Sequence, residues 1–182
     1  MNQLQEIYQE KCKIPSDINE HLPTIKKYAE ECDHVTEMGV RWVVSTYAFM
    51  MGKPKKMISY DIEPVEKWGT GQQFLVNLAK ENGVEFEFHI VDTLNLEIEE
   101  TDLLFLDTAH TYKQVKGELE LHAKKAKKYI LFHDTTSFEF GGFDGDTVGI
   151  WPAIEEFLQG SSDWEIHERF TNNNGLTILK RK

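Results

Sequence analysis

One stretch constrains the fold of this chain more than any other: Glu37-Met38-Gly39-Val40-Arg41-Trp42-Val43-Val44-Ser45 joins a short apolar strand to a helix through a glycine turn. The next strand, Met57-Ile58-Ser59-Tyr60-Asp61, ends in a carboxylate 22 residues after Gly39. An open α/β sheet holds a nucleoside with this layout. The glycine lets the backbone approach the ligand, and the acid accepts hydrogen bonds from ribose hydroxyls. Two later strands also end in acids, at Asp107 and at His133-Asp134. Three strands delivering carboxylates to one sheet edge point to an active site.

The remaining pattern alternates strands and helices. Strand one is expected over 34–39, followed by a helix from about Val40 to Met51. Strand two covers 57–61, and a helix runs from about Gly71 to Asn82 with Gly83 as its stop. Phe86, Phe88 and Ile90 alternate with polar residues in a strand over 84–91, and 103–107 is a continuous apolar run suited to a central parallel strand. A helix over about 113–128 precedes strand five at 129–132. Residues 1–32 read as a helical cover broken near Pro15 and Pro23, with 22–32 as the helix beside strand one. A Gly- and Asp-rich loop (137–149) leads to a helix near 151–159, with Pro152 in its first turn. Strands over 164–170 and 176–180 flank Asn172-Asn173-Asn174-Gly175, whose Asn-Gly pair signals a hairpin. The expected fold is α/β: a Rossmann-like, doubly wound, seven-stranded and mostly parallel sheet closed by an antiparallel C-terminal hairpin. One domain over 1–182 is expected.

A formal net charge of −11 disfavours a nucleic-acid partner, because phosphate binding needs a basic face. The run Lys124, Lys125, Lys127, Lys128 reads as the solvated last turn of a helix. No apolar run reaches the roughly 18 residues of a membrane span, and the polar N-terminus lacks a secretory signal. Two cysteines, Cys12 and Cys32, make no disulfide framework. The expected compartment is therefore the cytoplasm, with no membrane partner. A homodimer through the N-terminal helices is left open.

This arrangement resembles the class I S-adenosylmethionine-dependent methyltransferases over roughly residues 22–182. More narrowly, it resembles the cephalosporin-hydroxylase-like and macrolide-sugar O-methyltransferase group. That group reads E-x-G-x-x-x-G-x-S after strand one, D-x-x-H-x-Y after strand four, and H-D or D-D after strand five. Here the positions are Glu37, Gly39, Val43 and Ser45; Asp107, His110 and Tyr112; and His133-Asp134. Val43 is a departure, since the group carries glycine there. Inside a helix valine is harmless; facing the cofactor's methionine tail it weakens binding.

The resemblance implies S-adenosylmethionine as cofactor and a small-molecule or sugar hydroxyl as acceptor. Glu37 would face the cofactor's amino group or a water near it, Gly39 and Ser45 would line its loop, and Asp61 would hold the ribose. Asp92 and Thr93 sit where this fold contacts adenine; Asp and Thr also suit a turn or helix cap. Asp107, His133 and Asp134 would bind a divalent cation such as Mg²⁺, although an imidazole suits Mg²⁺ less well than oxygen. As alternatives, strand-end acids also cap following helices. His110, with Asp107, is the catalytic candidate: an imidazole able to take the hydroxyl proton, or alternatively one that stacks near the cofactor's adenine or sulfonium end without proton transfer. The loop 138–146, with Phe138, Phe140 and Phe143, reads as a lid, and Trp151 adds to an apolar wall. Asp144-Gly145-Asp146 is too short for a calcium loop. His21, His34, His89, His122 and His167 show no metal-ligand spacing. The competing function is a non-catalytic binding or scaffold module on the same fold. A nicotinamide-dependent dehydrogenase is disfavoured, because no G-x-G-x-x-G follows strand one.

Overall fold

A computed structural model describes residues 2–143 and 148–182. Among them, α1 (Gln3–Lys13) starts at Asn2, whose side chain accepts from the Gln5 N–H at 3.0 Å, as an N-cap should. A 3₁₀ turn (Asn19–His21) leads into α2 (Leu22–Ala29), with Pro23 in its first turn. This helix is shorter than the expected 22–32. Then follow β1 (His34–Met38), α3 (Val44–Gly52), β2 (Lys56–Asp61), a 3₁₀ turn (Val65–Trp68), α4 (Gln72–Glu81), β3 (Glu85–Ile90), a 3₁₀ turn (Thr93–Asn95), β4 (Thr101–Leu106), α5 (Tyr112–His122), β5 (Ala126–His133), α6 (Trp151–Gly160), β6 (Trp164–Phe170) and β7 (Leu176–Arg181).

The strands form one sheet in the order β3-β2-β1-β4-β5-β7-β6, parallel except that β7 is antiparallel to both its neighbours. The expected architecture is therefore present. Strand order reverses between β1 and β4. Loops leave that point in opposite directions and open a crevice at the carboxyl ends, the usual ligand position in such sheets. One apolar core, with Val35, Phe49, Phe105 and Leu131, lies under α1 to α4; a second, with Leu104, Ile130, Leu119 and Ile154, lies under α5 and α6. The β3-to-β4 crossover carries only the Thr93–Asn95 turn.

Other boundaries also differ from expectation. The helix after β1 begins at Val44 rather than Val40, because Arg41 (φ 43°) and Val43 (φ 63°) are left-handed and interrupt it. α5 ends at His122, and β5 starts early, at Ala126. The lysine run consequently spans a 3₁₀ turn and a strand start. Lys125 pairs with Glu97 and Lys127 with Glu100, both at 2.7 Å. No helix among the described residues is long and apolar enough to cross a membrane.

Candidate active site

Gly39 is required by packing as well as by its φ of 86°: a Cβ there would stand 1.9 Å from the Asp107 carbonyl oxygen. The ends of β1 and β4 thus touch through this glycine. The loop beyond it is anchored by Asp61. Its Oδ2 accepts from the N–H groups of Val40 (2.8 Å) and Arg41 (3.0 Å), and its Oδ1 from Glu63 N–H (3.0 Å). A carboxylate has about four acceptor positions, so one remains. Val43 is wholly buried in the core below α1 to α4, and the cleft is lined by its neighbours Trp42, Val44 and Ser45. Arg41 lies 4.1 Å over the Trp42 ring, which meets Trp68 edge-on.

Glu37 lies behind that lining, 0% exposed. Its carboxylate accepts from Ser45 Oγ (2.6 Å), Thr46 Oγ1 (2.8 Å) and Ser59 Oγ (2.7 Å). Ser59 is its register partner on β2. Burial dominates and pushes its pKa up to about 7, while the three hydroxyls pull the other way. Asp92 is exposed and caps the Thr93–Asn95 turn, accepting from Leu94 N–H at 2.9 Å. Thr93 turns inward and donates to Glu118 at 2.6 Å.

The strongest electrostatic feature is a quartet. His110 Nε2 lies 2.8 Å from Asp134 Oδ2 and 3.2 Å from Asp107 Oδ1. His133 Nδ1 lies 3.4 Å from an oxygen of each carboxylate. His133 is 1% exposed, and its Nε2 faces the carbonyls of Asp17 (3.1 Å) and Asn173 (3.3 Å), so that nitrogen must carry a proton. Burial alone would lower both imidazole pKa values. The carboxylates override it, pushing His110 up to about 9 and holding His133 well above the usual imidazole range. Burial would raise Asp107 and Asp134; the imidazoles hold both below the usual carboxylate range. His110 also stacks on Phe138, with centroids 4.6 Å apart and planes 9° apart. Phe143 meets it edge-on at 6.3 Å.

The donors converging closely enough for one cation are Asp107, His110 and Asp134, within 4.8 Å of one another. His110 thus takes the place expected of His133, which wedges behind the acids. Phe140 is 64% exposed, and Trp151 is buried under Arg169 rather than in a wall with the phenylalanines. Asp144, Gly145 and Asp146 lie outside the described residues.

A narrow cleft of about 90 Å³ unites Gly39, Trp42, Ser45, Asp107, His110 and Asp134. Its far wall is Asp17 and Ile18, which sequence reasoning missed. They arrive by long-range latching: Asn173 donates to the Ser16 carbonyl (2.7 Å) and accepts from Glu20 N–H (2.9 Å). A larger groove, about 480 Å³, lies between α5 and α6. Two of its cations are already paired, Lys116 with Glu156 and Arg181 with Asp163, and it holds none of the strand-end acids.

This sheet topology is that of the class I S-adenosylmethionine-dependent methyltransferase fold. No protein-family model matches the chain. Among solved structures, it is similar to the O-methyltransferase from Bacillus cereus in complex with SAH (15% identity, 98% of this chain and 90% of that chain, TM-score 0.64). It is also similar to TomG from Streptomyces achromogenes, an O-methyltransferase involved in tomaymycin synthesis, in complex with SAM (13% identity, 100% and 91%, TM-score 0.65). A third is the SAH-bound Podospora anserina methyltransferase PaMTH1 (14% identity, 100% and 89%, TM-score 0.60). At these identities the likeness establishes the fold.

Proposed function

We propose that this protein is an S-adenosylmethionine-dependent O-methyltransferase acting on a hydroxyl of a small molecule or sugar. The observation that carries this is His110, held by Asp134 and Asp107 in the cleft that Gly39 and Ser45 also line. The similar structures with SAM or SAH bound support the choice of cofactor.

When bound, S-adenosylmethionine supplies an electrophilic methyl group on sulfur. The chain's residues fit it. Asp61 keeps one acceptor position for a ribose hydroxyl, and Ile62 beside it, 70% exposed, offers an apolar face to a base. Asp92 is the acceptor on the adenine side. Ser45, backed by Glu37, and the Gly39 backbone line the methionine side. At the acceptor end, the carboxylates fix Nε2–H of His110. Among the described residues Nδ1 has no hydrogen-bond partner, so it is the atom to take the hydroxyl proton once His110 is neutral. A carboxylate orienting one imidazole nitrogen while the other works as base is the logic of hydrolase triads. Phe138 excludes water from one ring face.

A cation would be held by Asp107, His110 and Asp134 and would itself lower the pKa of a bound hydroxyl, with His110 then a ligand and no longer the base. Two oxygens and one imidazole suit Mn²⁺ or Zn²⁺ better than Mg²⁺, which prefers an all-oxygen shell. Val43 removes the main argument for a non-catalytic module, since its side chain enters the core and not the cleft.

Titration calorimetry with S-adenosylmethionine and S-adenosylhomocysteine, with and without Mn²⁺, tests the proposal. Micromolar binding is expected. A folded sample that binds neither would move the conclusion to the non-catalytic module.

A further inference from the structure

The β3-to-β4 crossover has no helix to support it, yet its turn bears Asp92 at the cofactor's adenine side. The support comes from α5. Glu118 is 0% exposed. Its Oε1 accepts from Thr93 Oγ1 at 2.6 Å and from Gln114 Nε2 at 2.9 Å; its Oε2 accepts from Thr108 Oγ1 at 3.0 Å. One turn further along α5, His122 Nε2 lies 2.8 Å from the Thr93 carbonyl. Gly117 makes room between them, for a Cβ there would stand 2.8 Å from Leu94 Cδ2. Thr108 follows Asp107 directly and lines the cleft. One buried carboxylate therefore grips two loops at once, the adenine-side turn and the loop of the catalytic acid.

A buried carboxylate is a costly way to fill a helix face; apolar side chains fill such sites without the desolvation penalty. Two of its three donors, Thr93 and Thr108, come from loops outside α5, so the group orders segments that sequence alone leaves independent. Thr93 spends its hydroxyl on Glu118 and is itself only 4% exposed, so it serves the clasp.

We propose that Glu118 is a positioning residue that sets the adenine end of the cofactor site relative to Asp107 and His110. The ligand's identity rests on the methyltransferase reading above; the clasp itself rests on the contacts.

The test uses S-adenosylhomocysteine calorimetry together with backbone hydrogen exchange of the ligand-free protein, on wild type, E118A, E118Q, T93V and T108V. E118A should weaken binding roughly tenfold or more, the scale of a lost buried hydrogen-bond partner. It should also raise exchange in both 92–95 and 107–110. E118Q keeps an acceptor for Thr93 while the Thr108 hydroxyl turns to accept, and should stay within about threefold of wild type. T93V should loosen mainly the first segment and T108V mainly the second, and these two carry the test if E118A does not fold. As a stability control, I25V, at a fully buried position of α2, should lower Tm without changing affinity. If wild type binds and E118A binds equally well with unchanged exchange, the proposal is overturned and the methyltransferase reading stands. If folded wild type binds no S-adenosylhomocysteine, that reading fails and takes the proposal with it.

Discussion

Glu37→Gln should make this protein more stable above neutral pH. The folded environment raises the carboxyl from its ordinary 4.5 to about 7, chiefly through burial. Between those values the native state binds the proton more tightly than the unfolded chain, so stability falls as pH rises through that window. The full loss, reached above about pH 7, is on the order of 3 kcal/mol, since each pKa unit is worth about 1.4 kcal/mol. Glutamine fits the same site. Its carbonyl oxygen can keep the donors at Oε2, Thr46 and Ser59, while its amide faces Ser45, whose hydroxyl rotates to accept. The variant should match wild type near pH 5 and exceed it by about 3 kcal/mol at pH 8. For a chain of this length that corresponds to roughly 6–12 °C in Tm. The assay is urea unfolding of both proteins from pH 5 to 8. His110 and His133 add a slope of the same sign at higher pH, but it cancels in the difference between variant and wild type. A difference that stays flat across pH, or falls, would refute a strained, buried Glu37.

The remaining predictions concern the cleft. If His110 is the base, kcat/KM should rise with pH and level off near 9 in the free enzyme, and His110→Ala should lose roughly 10²–10⁴ in rate; a pH-independent profile would exclude it. Asp61→Ala removes the acceptor for three N–H groups and should cost about 1–3 kcal/mol of stability, along with most cofactor affinity, read by thermal melts and calorimetry. Val43→Ala should lower stability by about 2 kcal/mol through lost burial yet leave S-adenosylhomocysteine affinity unchanged, because the side chain packs in the core; a large change in affinity would place it in the cleft instead. Zn²⁺ or Mn²⁺ should bind more tightly than Mg²⁺ by calorimetry, and Asp134→Ala should abolish that binding; a preference for Mg²⁺ would contradict an imidazole ligand.

What could be read from sequence was what is local or periodic. The glycine turn, the strand-end acids and the Asn-Gly hairpin each declare themselves within a few residues, and the alternation of strands and helices then leaves few topologies. The seven-stranded mixed sheet follows from those signals. What depends on register or on distant packing was hidden. Glu37 is expected to face the ligand; that Ser59 joins Ser45 and Thr46 in donating to it becomes visible only when β1 and β2 are aligned residue by residue. That Gly39 also packs against the Asp107 carbonyl, 68 residues away, is a contact no local spacing announces. The Asn172–Gly175 turn was legible as a hairpin but not as the latch that brings Asp17 and Ile18 to the cleft. The same blindness explains the metal candidates. His133 adjoins Asp134 in sequence, but its Nε2 turns to the carbonyls of Asp17 and Asn173, while His110, in the loop after β4, brings its Nε2 to both acids. Val43 shows the converse. Its residue type argued for harm only if its side chain faced the ligand. The left-handed φ of 63° is real, but it directs the valine into the core, so the strain is borne by the fold and the cleft is left free. Residue type marks where chemistry is available; the packing of the sheet decides which of those atoms meet.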